Sequence, residues 1–204
     1  MKTPRDHTDA DLFQSMLAGD EDALAQLYRD RHRGIYRFAM QMCGSAALAE
    51  DITQEVFMIL IRGCHAFDPT RGSLNAFLLG VARNQVLRRL QRERFYVSVA
   101  EDISAESGAE PVTSGGPLDE LSRNETIESV RTAVFSLPER YREVVVLCDL
   151  QELSYVETAE ILGCAVGTVR SRLHRARALL IEKLRPAREE QAASERIKSA
   201  RCFA

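Results

Sequence analysis

The sequence predicts an all-α protein of two helical units joined by an acidic linker, and three observations carry that expectation. Apolar residues recur at helical rather than alternating spacing through most of the chain. A stretch rich in Ser, Gly and Pro at 97–125 interrupts them. Beyond it lies the punctuation of a helix–turn–helix, with a capping serine, a glycine turn and an arginine-bearing helix. The 204 residues suit one domain or two small ones. Hydrophobic residues make up 45% of the chain and Trp is absent, so the core has to be built from Leu, Val, Ile and Ala.

In chain order, Asp9 or Asp11 is placed to cap a first helix that ends at Gly19. The segment DEDALAQLYRDRHRGIYRFAMQMCG then carries Ala23, Leu24, Leu27, Tyr28, Ile35, Phe38, Ala39 and Met42 at helical spacing and stops at Gly44 and Ser45. A third helix is predicted from Ala46 to Arg62, followed by the turn AFDPTRGS and a fourth helix from Leu74 to about Arg94. These elements form a first unit at 9–96. The linker at 97–125 is acidic, with Arg123 its one basic residue, and reads either as an inert tether or as a functional segment. A second unit spans 126–185, and the polar tail 186–204 is expected to fray.

Several function classes are disfavoured. MKTPRDHTDADLF has no apolar signal core and no run approaches the roughly 18 apolar residues of a membrane span, which points to a cytoplasmic protein. Cys43, Cys64, Cys148, Cys164 and Cys202 form no CxxC pair or Cys/His cluster, so buried free thiols are expected and no metal. His7, His32, His65 and His174 are isolated, and no phosphate loop, nucleophile elbow or HExxH helix is present. No enzyme activity and no cofactor are expected.

Binding features remain. In LPERYREVVVLCDLQELSYVETAEILGCAVGTVRSRLHRARALL, Ser154 is a good N-cap with Glu157 at the capping-box position. Val156, Ala159, Ile161 and Leu162 are predicted to face inward, Gly163 to make a left-handed turn, and Val169, Leu173 and Leu180 to continue the core. The second helix of such a motif enters the major groove by its N-terminal residues. Here those are Thr168, Arg170, Ser171, His174 and Arg175. From Arg170 to Arg185 six Arg or Lys stand against one Glu in a chain of net charge -3, a local excess that favours DNA over a merely solvated face.

Two stripes mark the first unit. Glu50, Asp51, Gln54 and Glu55 share one face of the third helix, opposite Leu48, Ile52, Val56 and Ile59; this face is either solvated or a docking surface. On the fourth helix Ala76, Gly80, Asn84, Leu87 and Gln91 form a stripe flanked by Arg83 and Arg88, and RNQVLRRLQRER holds five Arg. Small residues there admit either a nucleic-acid backbone or a neighbouring helix.

AEDITQEVFMILIRGCHAFDPTRGSLNAFLLGVARNQVLRRL together with the helix–turn–helix segment resembles the extracytoplasmic-function (ECF) group of bacterial sigma-70 factors over about 9–96 and 126–184. The resemblance implies a helical region 2 and region 4, with core RNA polymerase, promoter DNA and an anti-sigma factor as partners. It implies that Asp51, Gln54 and Glu55 dock on the beta-prime coiled coil and that the second unit meets the beta flap. It further implies that the loop from Phe67 to Ser73, including Asp68 and Arg71, captures a flipped minus-ten base. Gly80, Arg83, Asn84 and Arg88 would then follow the melted strand, and the basic helix would read the minus-thirty-five duplex. The alternative is a stand-alone helix–turn–helix regulator whose first unit dimerises or binds an effector.

Overall fold

The computed structural model describes the backbone of residues 8–63, 67–70, 72–100 and 118–201, with the side chains of those up to 92 and from 126 to 185. Cys64, His65, Arg71 and Cys202, and 101–117 of the linker, lie outside the described residues. Eight α-helices are found among the described residues, in the order α1 Asp9–Leu17, α2 Glu21–Cys43, α3 Ala46–Arg62, α4 Leu74–Ala100, α5 Leu118–Phe135, α6 Glu139–Val145, α7 Tyr155–Leu162 and α8 Val166–Arg201. Val146–Leu150 extends α6 by one turn of π-helix.

Local chemistry sets the ends of these helices. α1 is capped by Thr8 rather than Asp9 or Asp11: the Thr8 hydroxyl accepts from Asp11 N and the Asp11 carboxylate accepts from Thr8 N, a reciprocal capping box. Asp9 is thereby left to pair with Arg31 of α2 at 2.6 Å. Asp20 caps α2 by accepting from the amides of Asp22 and Ala23, and Ser45 caps α3. Three helices outrun their predicted limits. α4 continues past Arg94 to Ala100 and α5 begins at Leu118, so helix occupies both ends of the stretch assigned to the linker. α8 continues past Pro186 to Arg201, since Pro removes a single backbone donor and AREEQAASER is made of good helix formers.

The first unit packs α2, α3 and α4 around Leu27, Ile35, Phe38, Ile52, Val56, Leu78 and Leu79, each 1% exposed or less. α1 lies across α2 and adds Leu12 and Phe13. Tyr28 keeps the helical spacing of this core but is 42% exposed, stacked flat on His32 with ring centroids 5.0 Å apart. In the second unit Val144 to Leu147, Val169, Leu173 and Ala176 are buried between α6 and α8. Val156, expected inside, is 57% exposed, because Thr158 and Ala159 are the residues α7 turns inward.

The two sets of helices share one continuous apolar cluster. α2 meets α5 and α6, and α4 meets α7. Gly44 closes α2 at φ +72°, in the left-handed region, directly against the Phe135 ring, so that a Cβ there would come within 2.8 Å of it. Arg142 of α6 covers that ring at 4.3 Å and donates to the carbonyl oxygen of Met42 at 2.9 Å, meeting an end-of-helix acceptor with a cation. Burial pushes the Arg142 guanidinium below its usual pKa.

Gly44→Ala is expected to cost more than Gly163→Ala in denaturant melts. Both lose a left-handed glycine, worth about 1–2 kcal/mol, but a Cβ at Gly163 meets nothing within 4 Å. Equal losses at the two positions would mean that Phe135 moves aside freely.

Candidate nucleic-acid interface

The helix–turn–helix is built from its caps. Ser154 Oγ accepts from Glu157 N at 3.2 Å and Glu157 Oε2 accepts from Ser154 N at 3.0 Å, starting α7. Gly163 at φ +61° ends it, and burial of Val169, Leu173 and Ala176 fixes the roll of α8. That roll turns Arg170, Ser171, His174 and Arg175 outward, all exposed, with Thr168 half-buried at the helix start. Ser171 Oγ donates to the Thr168 carbonyl at 3.0 Å, leaving its lone pairs outward. The Arg170 guanidinium sits 5.8 Å from the centre of the Tyr155 ring of α7.

Two arginines on the same helix already have protein partners. Arg175 lies beside the Tyr141 phenol of α6 and, with Arg140, lowers its pKa. Arg177 grips Asp149 with bonds of 2.6 and 3.1 Å, tying α8 to the π turn. Of the predicted set, Arg170 and His174 are therefore the freest to reach outward.

Of the residues predicted to meet the melted strand, Phe67, Asp68, Ser73, Gly80 and Asn84 line a cleft of about 590 Å³ along α4, and Arg83 and Arg88 do not. Phe67 is only 8% exposed, its ring edge-on to Phe13 at 4.9 Å and tilted to Phe77 at 5.4 Å, so it anchors the loop at the cleft wall. Asp68 holds the loop turn by accepting from Thr70 N and Oγ1. Ser73 Oγ accepts from Ala76 N and so caps α4. Gly80 and Asn84 line the cleft, and Asn84 and Arg88 are exposed.

Arg83 is placed differently from the expectation of an open strand-facing side chain. Its Nε donates to Glu143 of α6 at 2.7 Å, with both side chains largely buried. The opposite wall of the cleft is α7, which supplies Glu157, Glu160 and Ile161. Of these wall residues the sequence marks Glu157 as a cap and Ile161 as inward-facing, and gives no signal for Glu160.

Asp51, Gln54 and Glu55 are exposed on α3, with Arg89 4.0 Å from Asp51. Glu50 and Gln54 border a second groove of about 690 Å³, walled on the α2 side by Tyr28, His32, Arg33, Tyr36 and Arg37. The sequence gives no signal for that aromatic and basic wall, since Tyr28 shares the helical spacing of core residues yet is exposed. Among the described residues no group of His, Cys, Asp and Glu is arranged to hold a metal, and no helix is long and apolar enough to cross a membrane.

Residues 27–96 match the family Sigma-70 region 2, and residues 127–180 match Sigma-70, region 4. The chain is 32% identical over 175 residues to the ECF RNA polymerase sigma factor SigW of Bacillus subtilis, an alignment covering 82% of this chain and 91% of that one. It is 33% identical over 180 residues to SigM of Mycobacterium tuberculosis, covering 88% and 86% of the two chains. The chain belongs to the ECF group of sigma-70 factors. It is thus a promoter-directing transcription initiation factor and not an enzyme. The sigma factor RpoE of Bartonella quintana, solved with the anti-sigma factor NepR, matches with a TM-score of 0.65 at 27% identity, over 79% of this chain and 96% of that one. CnrH, solved with the cytosolic domain of CnrY, matches with a TM-score of 0.65 at 24% identity, over 88% and 99% of the two chains, a likeness of fold.

Glu157 couples the two sigma regions electrostatically. Burial would raise its carboxyl pKa, but bonds from Ser73 Oγ and from the Ser154 hydroxyl and amide outweigh this and hold it below the usual glutamate value. A lowered folded-state pKa adds stability that is complete above the unfolded-state value and lost as pH falls through the folded one. Glu157→Gln is therefore expected to flatten the acid limb of a stability–pH profile, and Ser154→Ala to cost about 1 kcal/mol at neutral pH. An unchanged acid limb would show that other carboxylates carry it.

Proposed function

We propose that this sigma factor divides its work between the two units, 9–96 and 126–185, in the cytoplasm. Region 2 docks on core RNA polymerase through Asp51, Gln54 and Glu55 on the beta-prime coiled coil, while region 4 meets the beta flap. The loop residues Phe67, Asp68, Arg71 and Ser73 position or capture a flipped minus-ten base, with Gly80, Arg83, Asn84 and Arg88 along the melted strand. Thr168, Arg170, Ser171, His174 and Arg175 face the minus-thirty-five duplex, Arg170 and His174 as base readers.

The observation that carries this reading is the separation of charge on one chain. The first turns of α8 present Arg170 and His174 to solvent, whereas the exposed face of α3 is acidic and amide-bearing. A basic helix face suits DNA, and an acidic stripe suits a basic protein surface. An anti-sigma factor is a further expected partner, since the RpoE relative was solved with one.

Arg170→Ala is expected to weaken binding to the upstream duplex by about 1–3 kcal/mol if the guanidinium reads a base edge. Electrophoretic titration of the holoenzyme against its promoter checks this, and unchanged affinity removes Arg170 from the reading set. Asp51→Ala with Glu55→Ala is expected to reduce assembly with core polymerase while the melting curve stays intact. Normal assembly by that variant would contradict the docking assignment.

A further inference from the structure

The arginines of α8 fall into two kinds. Arg177 is neutralised inside the fold by Asp149, with bonds of 2.6 and 3.1 Å. Arg175 is not, for its neighbour is the phenol of Tyr141 on α6, an uncharged group. From α6 itself Arg140 closes on the same side chain, its guanidinium carbon 4.8 Å from the centre of the Tyr141 ring. Both arginines are exposed, and no ion pair of the described residues includes either of them. Two like charges therefore gather around one hydroxyl in a chain whose net charge is -3. Arg175 first, and Arg140 with it, favour negative charge at the phenol oxygen, which is why the Tyr141 pKa is lowered. The spacing of the two helices is fixed from below, where Val144 and Val145 of α6 and Leu173 and Ala176 of α8 are each 2% exposed or less.

We infer that Arg140, Tyr141 and Arg175 form a seat for one backbone phosphate of the upstream duplex, built across α6 and α8 at the edge of the base-reading face. The inference deepens the proposed reading of α8 as the duplex-facing helix and rests on it. A phosphate suits the seat in charge, since it relieves a repulsion between guanidiniums that a neutral phenol leaves in place. It suits the donors as well, because its two non-bridging oxygens can accept from guanidinium N–H groups and from a hydroxyl together. The place on α8 selects DNA over an acidic protein surface. Arg175 is next to His174 and one turn beyond Ser171 on the same exposed face, so an anion held there flanks the bases that Arg170 and His174 face. Such a contact reads no sequence; it sets the register and orientation in which α8 meets the groove. Tyr141 and Arg140 thereby bring α6, outside the helix–turn–helix proper, into the duplex interface.

The test titrates holoenzyme, assembled with the full chain, against its promoter by electrophoretic mobility at several salt concentrations. The same promoter with single substitutions in its upstream element serves as comparison. Arg140→Ala is expected to weaken binding about fivefold, by the same factor on each of these sequences, and to reduce the slope of log affinity against log salt by about 1. Tyr141→Phe keeps the ring and is expected to give a smaller loss, equally indifferent to sequence; affinity equal to that of the natural chain would overturn the three-residue seat. Should Arg140→Ala change neither affinity nor slope while Arg170→Ala weakens binding, the cluster is a solvated face and the inference is overturned with the reading of α8 intact. If neither arginine variant changes binding, the duplex-facing reading of α8 fails and the inference falls with it. A loss at Arg140 that varies with the upstream sequence would make it a base contact, and a loss of assembly with core polymerase at unchanged promoter affinity would give the cluster to an acidic protein surface. Either result overturns the phosphate seat.

Discussion

The largely buried Arg83–Glu143 pair, where α4 of region 2 meets α6 of region 4, is the constraint on which the remaining arrangement turns. A guanidinium on a helix face cannot be left desolvated and unpaired when another helix packs over it. Glu143 supplies the missing charge, and its place on α6 sets where α7 falls. α7 then lies along the small-residue face of α4, with Glu157 on Ser73 and Ile161 on Gly80. The small-residue face of α4 and the outer wall of the helix–turn–helix thus meet along a single cleft.

A second junction holds the other side. Gly44, Phe135 and Arg142 interlock where α2 ends, and here the contact is tighter and more apolar than at the α4 cleft. The guanidinium of Arg142 satisfies a helix-end carbonyl while covering an aromatic face, so one side chain serves both packing and polar accounting. The two contacts differ in kind: an aromatic and cationic one near the end of α2 and a polar one along α4. Neither touches the outward face of α8, so Arg170 and His174 remain exposed in this arrangement.

What was legible in the sequence follows the range of the interactions involved. The Ser154–Glu157 capping box, the Gly163 turn and the acidic face of α3 could be read because each is decided within a few residues. Arg83 was read from its neighbours as a phosphate contact, yet its partner lies 60 positions away. The same distance effect hid the Tyr141 partner of Arg175 and the Asp149 partner of Arg177, 28 positions off. The contact of Phe67 with the Phe13 ring joins residues 54 positions apart and is likewise invisible in the sequence. Tyr28 kept core periodicity while lying at the rim of the α2–α3 groove, because a 23-residue helix presents a wider face than its neighbours cover. Helix ends were misjudged where composition alone argued for a loop: the polar residues after Pro186 are also good helix formers.

The central claim is that one chain brings core polymerase to a promoter, and run-off transcription tests it most directly. The purified protein is added to bacterial core RNA polymerase with double-stranded genomic promoter fragments as template. The expected result is a set of discrete transcripts that core alone does not make, from a chain that co-elutes with core. A chain that shifts duplex DNA but stays apart from core and starts no transcript would contradict the account.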